Sequence, residues 1–139
     1  MVAQAATLLR NIGAMCLSFG LCGLGVVCVF APHDASSLYG LPVKAGGDVS
    51  WVLVAGLRDF GLGLATLMLQ VFEPSALRVF VPSIICVPLG DAALTILQGG
   101  TMLDAAMHGM GTIAVTILAV CAWLDPTLGR RTGPNVKVP

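Results

Sequence analysis

The chain has 139 residues, of which 57% are hydrophobic and only 10% charged, and its mean hydropathy is +0.94. A water-soluble domain carries roughly 25% charged residues, so too few charges are present to cover a solvated surface. Lys+Arg and Asp+Glu balance at 7 each, so no acidic partner is implied, and the basic patch expected of a nucleic-acid binder is lacking.

The length fits a single domain over 1–139. Four apolar runs follow in order, over about 11–31, 51–72, 79–98 and 102–124. Each is about the 20 residues that a helix needs to cross roughly 30 Å of hydrocarbon. Pro32 closes the first run, Glu73-Pro74-Ser75 and Gly99-Gly100 separate the later ones, and Asp125-Pro126 ends the last. The first run exceeds the roughly 7–15 apolar residues of a signal peptide, so it reads as a span. The fold class is therefore all-α, an antiparallel four-helix transmembrane bundle. Cys16, Cys22, Cys28, Cys86 and Cys121 all fall inside apolar stretches without a CxxC pair, and read as small packing residues.

Orientation follows from Lys and Arg. Arg10, Arg78, Arg130, Arg131 and Lys137 fall on one side and Lys44 alone on the other. Both termini, with a tail over 125–139, are expected in the cytoplasm, and the endoplasmic reticulum is the expected membrane. The Gly- and Pro-rich segment 32–49 then faces the lumen or exterior, either as an ordered cap or as a plain connection.

Charged groups inside hydrocarbon cost about 2.5–3.5 kcal/mol each on insertion scales, yet the runs contain Arg58, Asp59, Asp91, Asp104 and His108. Counted from the ends of their antiparallel spans, Arg58, Asp91 and His108 each lie about two turns below the outer surface. Three helices thus place ionisable groups in one layer. Helical spacing puts Asp59, Gly63, Thr66 and Gln70 on one face, Asp91, Thr95 and Gln98 on a second, and Asp104, His108, Thr112 and Thr116 on a third. These stripes are expected to face inward. Adjacent Arg58 and Asp59 point about 100° apart and are not expected simply to pair; Asp91 is the expected partner of Arg58. Asp104, one turn before His108, is placed to orient the imidazole. Pro82 and Pro88 predict a kink just before Asp91, and Gly13, Gly20, Gly23, Gly25, Gly56, Gly61, Gly63, Gly109 and Gly111 predict close helix packing.

Such a layer is either a polar knot that fixes the register of the bundle or an intramembrane site. An Arg, several carboxylates and one His in an apolar cavity suit acid–base work: one carboxylate takes a proton from water or a hydroxyl, and a second acid gives one to an oxygen leaving group. That set can open an epoxide or shift a proton along a conjugated chain, without a cofactor. Usual metal-binding spacings are lacking, so no metal is expected.

The segments Gly56-Leu57-Arg58-Asp59-Phe60-Gly61-Leu62-Gly63, Leu89-Gly90-Asp91 and Met107-His108-Gly109 resemble a small four-span membrane family, long classed as of unknown function and found largely in fungi and some bacteria. Fungal members often accompany polyketide or terpenoid biosynthetic genes, and some are regarded as epoxide hydrolases or cyclases of polyene epoxides. The resemblance implies a shared four-span fold and a site at Arg58, Asp59, Asp91 and His108. The expectation is a membrane epoxide hydrolase or cyclase, with Asp59, Asp91, Arg58 and His108 catalytic. Asp104, Thr95, Thr112 and Tyr39 are expected around them as substrate-binding or supporting groups. The expected partners are a lipophilic small molecule, membrane lipid and a second copy in a homodimer. An isomerase and a non-catalytic scaffold subunit are the alternatives.

Overall fold

The structure is a computed structural model and describes residues 2–129; Arg130, Arg131 and Lys137 lie outside the described residues. Six α-helices follow in order: α1 Val2–Phe30, α2 Pro32–Leu38, α3 Ser50–Phe72, α4 Leu77–Ser83, α5 Cys86–Leu97 and α6 Met102–Leu124. Short 3₁₀ turns at Pro74–Ala76 and Pro126–Gly129 cover the α3–α4 corner and the end of α6. Gln4–Phe30, Ser50–Phe72, Pro74–Leu97 and Met102–Leu124 are long and apolar enough to cross a membrane. Large side chains on their outer faces stay uncovered, among them Phe19, Val54, Leu57, Ile113 and Trp123, as expected where lipid rather than protein is the neighbour. The protein is an all-α, multi-pass membrane bundle.

Helix α1 begins at Val2 rather than near residue 11. Ala and Leu before Arg10 are good helix formers, and Arg10 does not end the helix because it is buried and paired. Its Nε lies 2.8 Å from Asp125 Oδ2, with both side chains almost closed to solvent. Thr7 Oγ1 donates to Asp125 Oδ1 at 2.9 Å, and Thr127 donates to the same oxygen from its amide and its hydroxyl. Arg10 Nη1 finds no hydrogen-bond partner among the described residues. Arg78 closes the same end by donating to the Ala122 and Asp125 carbonyls at 3.0 and 2.5 Å, a cation on the negative end of α6. The first turns of α1 and the segment after α6 thus meet at one end of the bundle, and residues 125–129 belong to it.

Helices α1 and α3 form the closest pair. A Cβ on Gly63 would lie 2.7 Å from the Ser18 carbonyl, and one on Gly25 would lie 2.6 Å from that of Gly56, so only glycine allows this approach. Gly20, Gly23, Gly61 and Gly109 have open space around them and are not packing positions within the described chain. Behind this pair, Ala14, Leu77, Val81, Val115 and Leu118 fill one half of the core.

The third span breaks at Ile84–Ile85, between its two prolines and one to two turns before Asp91. Pro88 offers no N–H to the Ile84 carbonyl and its ring crowds that carbonyl; the carbonyl instead accepts from Val87 N at 3.0 Å. Beyond the break α5 leans on α6, away from α1 and α3. At the far end Gly99, at φ +86°, turns the chain into α6, and Gly100 N closes on Thr95 O at 2.8 Å.

Although burial opposes ionisation of Asp125, hydrogen bonds from Thr127 and Thr7 and the Arg10 charge outweigh it and hold the carboxyl below its ordinary value. A carboxyl lowered on folding stabilises the fold above its ordinary value, near 4, and loses that contribution as pH falls through the folded value. Detergent-solubilised protein should therefore melt at a constant temperature from neutral pH to about pH 5 and progressively lower below about pH 4. Asp125→Ala, which strands the buried Arg10 charge, should cost about 3–5 kcal/mol at neutral pH and flatten that acid slope; an unchanged melting temperature would contradict the ion pair's role.

Candidate functional site

Four elements supply the residues of the charged layer. Arg58 and Asp59 come from the third turn of α3, Asp91 from the middle of α5 and His108 from the second turn of α6. Tyr39 comes from the end of the α2 cap. Segment 32–49 is thus an ordered cap in its first half. Ala35 and Tyr39 are buried with Cys28 and Val52, and the Tyr39 ring meets Trp51 edge-on, with centroids 5.8 Å apart. Gly40 then turns at φ +72°, a left-handed conformation that suits glycine.

Arg58 organises the layer. Its Nη1 and Nη2 donate to Asp91 Oδ1 and Oδ2, each at 2.9 Å, a bidentate pair across the gap between α3 and α5. Its Nε donates to Asp59 Oδ1 at 2.9 Å. The expectation that neighbours Arg58 and Asp59 do not pair is corrected here. The Cβ directions do diverge along the helix, but the long Arg side chain folds back and its planar fork serves two acids at once. Asp59, almost fully buried, accepts from the Tyr39 hydroxyl at 2.5 Å on its other oxygen. Burial, reinforced by the hydrogen bond to Asp59, pushes the Tyr39 phenol well above its ordinary range, so it remains a donor. Cys28 Sγ lies 3.7 Å from the same hydroxyl.

His108 joins through the cap rather than through a carboxylate. Its Nε2 lies 3.2 Å from the Tyr39 carbonyl, and its ring stacks on the Tyr39 ring with centroids 6.1 Å apart. A carbonyl only accepts, so Nε2 carries the hydrogen and Nδ1 is the nitrogen left for another partner. Asp104 does not orient the imidazole. Its carboxylate accepts from Thr101 N at 2.9 Å and Thr101 Oγ1 at 2.6 Å, while Thr101 accepts from Asp104 N. This is a capping box at the start of α6, and the cap outcompetes the expected contact with His108.

Thr95 supports the layer from α5. Its buried hydroxyl donates to Asp91 O at 2.8 Å and reaches Tyr39 O at 3.3 Å. Thr112 donates to His108 O at 3.1 Å within its own helix and is absent from the cavity wall. The inward stripes are incomplete: Thr66 and Thr95 are buried, but Thr116 and Gln98 are exposed.

The stand-off of α5 opens a cavity of about 300 Å³ between the helices. Leu17, Leu21, Leu24, Leu62, Ile84 and Val115 give it an apolar wall, and Tyr39, Asp59, Asp91 and His108 project into one end. That volume lies at the lower end of small-molecule sites, and apolar walls with a few convergent polar groups are typical of them. Exposed Leu38 and Met107 border it. Among the described residues no three or more His, Cys, Asp or Glu side chains are grouped to hold a metal ion. Sequence reasoning underrated Tyr39, whose position inside the bundle depends on how segment 32–49 folds back. It gave no sign of the Arg10–Asp125 pair, since the two residues are joined only by the closure of the bundle.

A charged layer inside a multi-pass membrane bundle, open to an apolar cavity, defines the class. Over residues 18–124 the chain matches the family described as a domain of unknown function, DUF4267, and it belongs to that family. The match takes in Tyr39, Arg58, Asp59, Asp91 and His108 and stops just short of Asp125. No curated protein and no solved structure matches the chain.

Arg58→Lys replaces a fork by a single ammonium and cannot hold both acids in this geometry. The detergent melting temperature, followed by Trp51 fluorescence, should fall, and fall further in Arg58→Met, where the carboxylates lose their cation at a cost of about 3–5 kcal/mol. Equal stability of Arg58→Met and wild type would rule out the clamp.

Proposed function

We propose that this protein is a membrane-embedded, cofactor-independent epoxide hydrolase or cyclase that acts on a lipophilic, polyketide- or terpenoid-like metabolite. The observation that carries the reading is one apolar cavity with a carboxylate pair, a phenol and an imidazole at the same end. A greasy substrate partitions into such a cavity from the bilayer, and the polar end can only meet a reactive group that tolerates acid and base together.

The division of labour follows from the hydrogen bonds. Asp91 is the base. Its side chain is the more open of the two acids, and Arg58 fixes it while leaving lone pairs free. Water, or an internal hydroxyl in a cyclisation, attacks an epoxide carbon as Asp91 takes its proton. The carbon–oxygen bond breaks, and the oxygen takes a proton from Nδ1 of doubly protonated His108, whose Nε2–H is held by the Tyr39 carbonyl. Proton return from Asp91 to His108 resets the site. Asp59 and Tyr39 position Arg58 and the cap. Thr95 steadies the turn that carries Asp91.

The structural alternative, a knot that only fixes helix register, is favoured by the way Arg58 and Tyr39 already occupy all four carboxylate oxygens. Turnover separates the readings. Membranes carrying wild-type protein should convert a polyene epoxide, and Asp91→Asn and His108→Phe should each slow conversion by about 10²–10⁴-fold while remaining folded. Equal product from wild type and both variants would remove the catalytic roles. Incorporation of oxygen from labelled water distinguishes hydrolysis from internal cyclisation or isomerisation, which leave no label.

We also propose that the protein resides in the endoplasmic reticulum with both termini in the cytoplasm, on the distribution of Arg10, Arg78, Arg130, Arg131 and Lys137 against Lys44. A C-terminal tag should be reached by antibody after selective permeabilisation of the plasma membrane; a tag reached only after the reticulum is opened would invert the topology.

A further inference from the structure

We infer that the site has a second entrance, a water-filled one, on the opposite side of the Arg58–Asp91 pair from the apolar cavity. The inference rests on the proposed hydrolase reading for its use, but its physical basis is separate.

Arg58 donates through three of its five N–H groups. A third of its side chain (34%) is still accessible, as is 17% of Asp91. A guanidinium with open donors is costly against acyl chains, so the open surface needs water. A recess of about 140 Å³ meets that need. Arg58, Asp91, Thr95 and His108 line it, together with Ala55 and Leu94. Its walls are mainly apolar, but the recess has room for a few waters, and the open donors of Arg58, which does not line the apolar cavity, face it. It shares Tyr39, Asp91 and His108 with the apolar cavity.

On its other side the recess shares Leu41, Trp51 and Leu94 with a larger vestibule of about 620 Å³. Gly40, Pro42 and Val43 after the cap, and Gln98, Gly99 and Gly100 at the α5–α6 turn, form the remaining walls. These are connecting segments at the loop end of the bundle, where the chain leaves the hydrocarbon. Recess and cavity therefore adjoin at Tyr39, Asp91 and His108, and recess and vestibule at Leu41, Trp51 and Leu94, with Arg58 facing the recess alone. Leu41, Trp51 and Leu94 form the neck.

The arrangement lets a lipophilic substrate and a nucleophilic water reach Asp91 from different sides, so neither has to displace the other. It makes the neck a determinant of outcome. With the neck open, water competes for the substrate. With it closed, only an internal nucleophile or proton shift remains.

The test reads accessibility first and chemistry second. Full-length Ala55→Cys and Leu21→Cys proteins in proteoliposomes are treated on both faces with a small anionic methanethiosulfonate, and the modified peptides are located by mass spectrometry. Ala55→Cys, in the recess, should react about tenfold faster than Leu21→Cys, in the apolar wall, because a thiol in apolar surroundings forms less thiolate. Adding Leu94→Trp, or separately Leu41→Trp, should slow Ala55→Cys about tenfold, toward the buried rate. Ala55→Cys reacting no faster than Leu21→Cys, or ignoring both tryptophans in monodisperse protein, would overturn the second entrance. The chemical arm uses a polyene epoxide in isotopically labelled water, where Leu94→Trp should lower label incorporation about tenfold with less effect on epoxide consumption. Absence of turnover in wild type with the labelling pattern intact would defeat the hydrolase reading and leave the water route standing. Turnover with unchanged incorporation in both tryptophan variants would defeat the route and leave the hydrolase.

Discussion

The half of this molecule beneath the α2 cap depends on a single cation in apolar surroundings. Arg58 cannot lose its proton and cannot face acyl chains without large cost. It must be met by acids, and the acids must in turn be brought to it. One comes from its own helix and one from across the gap to α5. Tyr39 completes the second carboxylate of the set and so ties the α2 cap to the same point. Cap, α3 and α5 are thereby registered to one another by three side chains, and His108 is placed by the cap's backbone. Removing the cation would leave two acids facing each other, which is why one residue sets the geometry of four elements.

The cavity beside this layer is a consequence of backbone chemistry rather than of missing side chains. Pro88 interrupts the hydrogen-bond ladder at Ile84, and the span bends. Below the bend, Leu77 and Val81 of α4 are fully buried against α1 and α6. Above it, α5 keeps only α6 as a close neighbour. Arg58 bridges the gap from α3 to α5. A small apolar residue there would let the gap collapse or fill with lipid; a long charged one holds it at a fixed width. The close α1–α3 packing at Gly25, Gly56 and Gly63 gives that bridge a rigid base.

Much of this was legible in the sequence because bilayer thickness is a strong constraint. Span number, span order and the depth of Arg58, Asp91 and His108 follow from length and helical rise alone, and Asp91 as the partner of Arg58 follows from depth. Side-chain reach was not legible. Periodicity gives the direction of a Cβ, and Arg58 extends far enough beyond its Cβ to turn back onto Asp59. Competition was not legible either: Asp104 sits at helical spacing from His108, yet also at the third position after Thr101, and local capping won. Tyr39 and Asp125 lie outside the spans, where no period applies. Their roles appear only once the cap folds in and the segment after α6 meets the start of α1.

The chain contains two Arg–Asp pairs inside one bundle, and their difference is instructive. Arg10 and Asp125 are shut from solvent, at 6% and 0% side-chain exposure, whereas Arg58 and Asp91 keep 34% and 17%. A buried pair sealed on all sides can hold helices together but cannot meet a substrate or exchange a proton with water. The Arg58–Asp91 pair instead stays partly open, with Asp91 lining both the cavity and the smaller recess beside it. If register were its only task, the inner clasp shows that the same residue types in this fold achieve it without such openings. The open surface on Arg58 and Asp91 is therefore the feature that a purely structural account leaves without a cause.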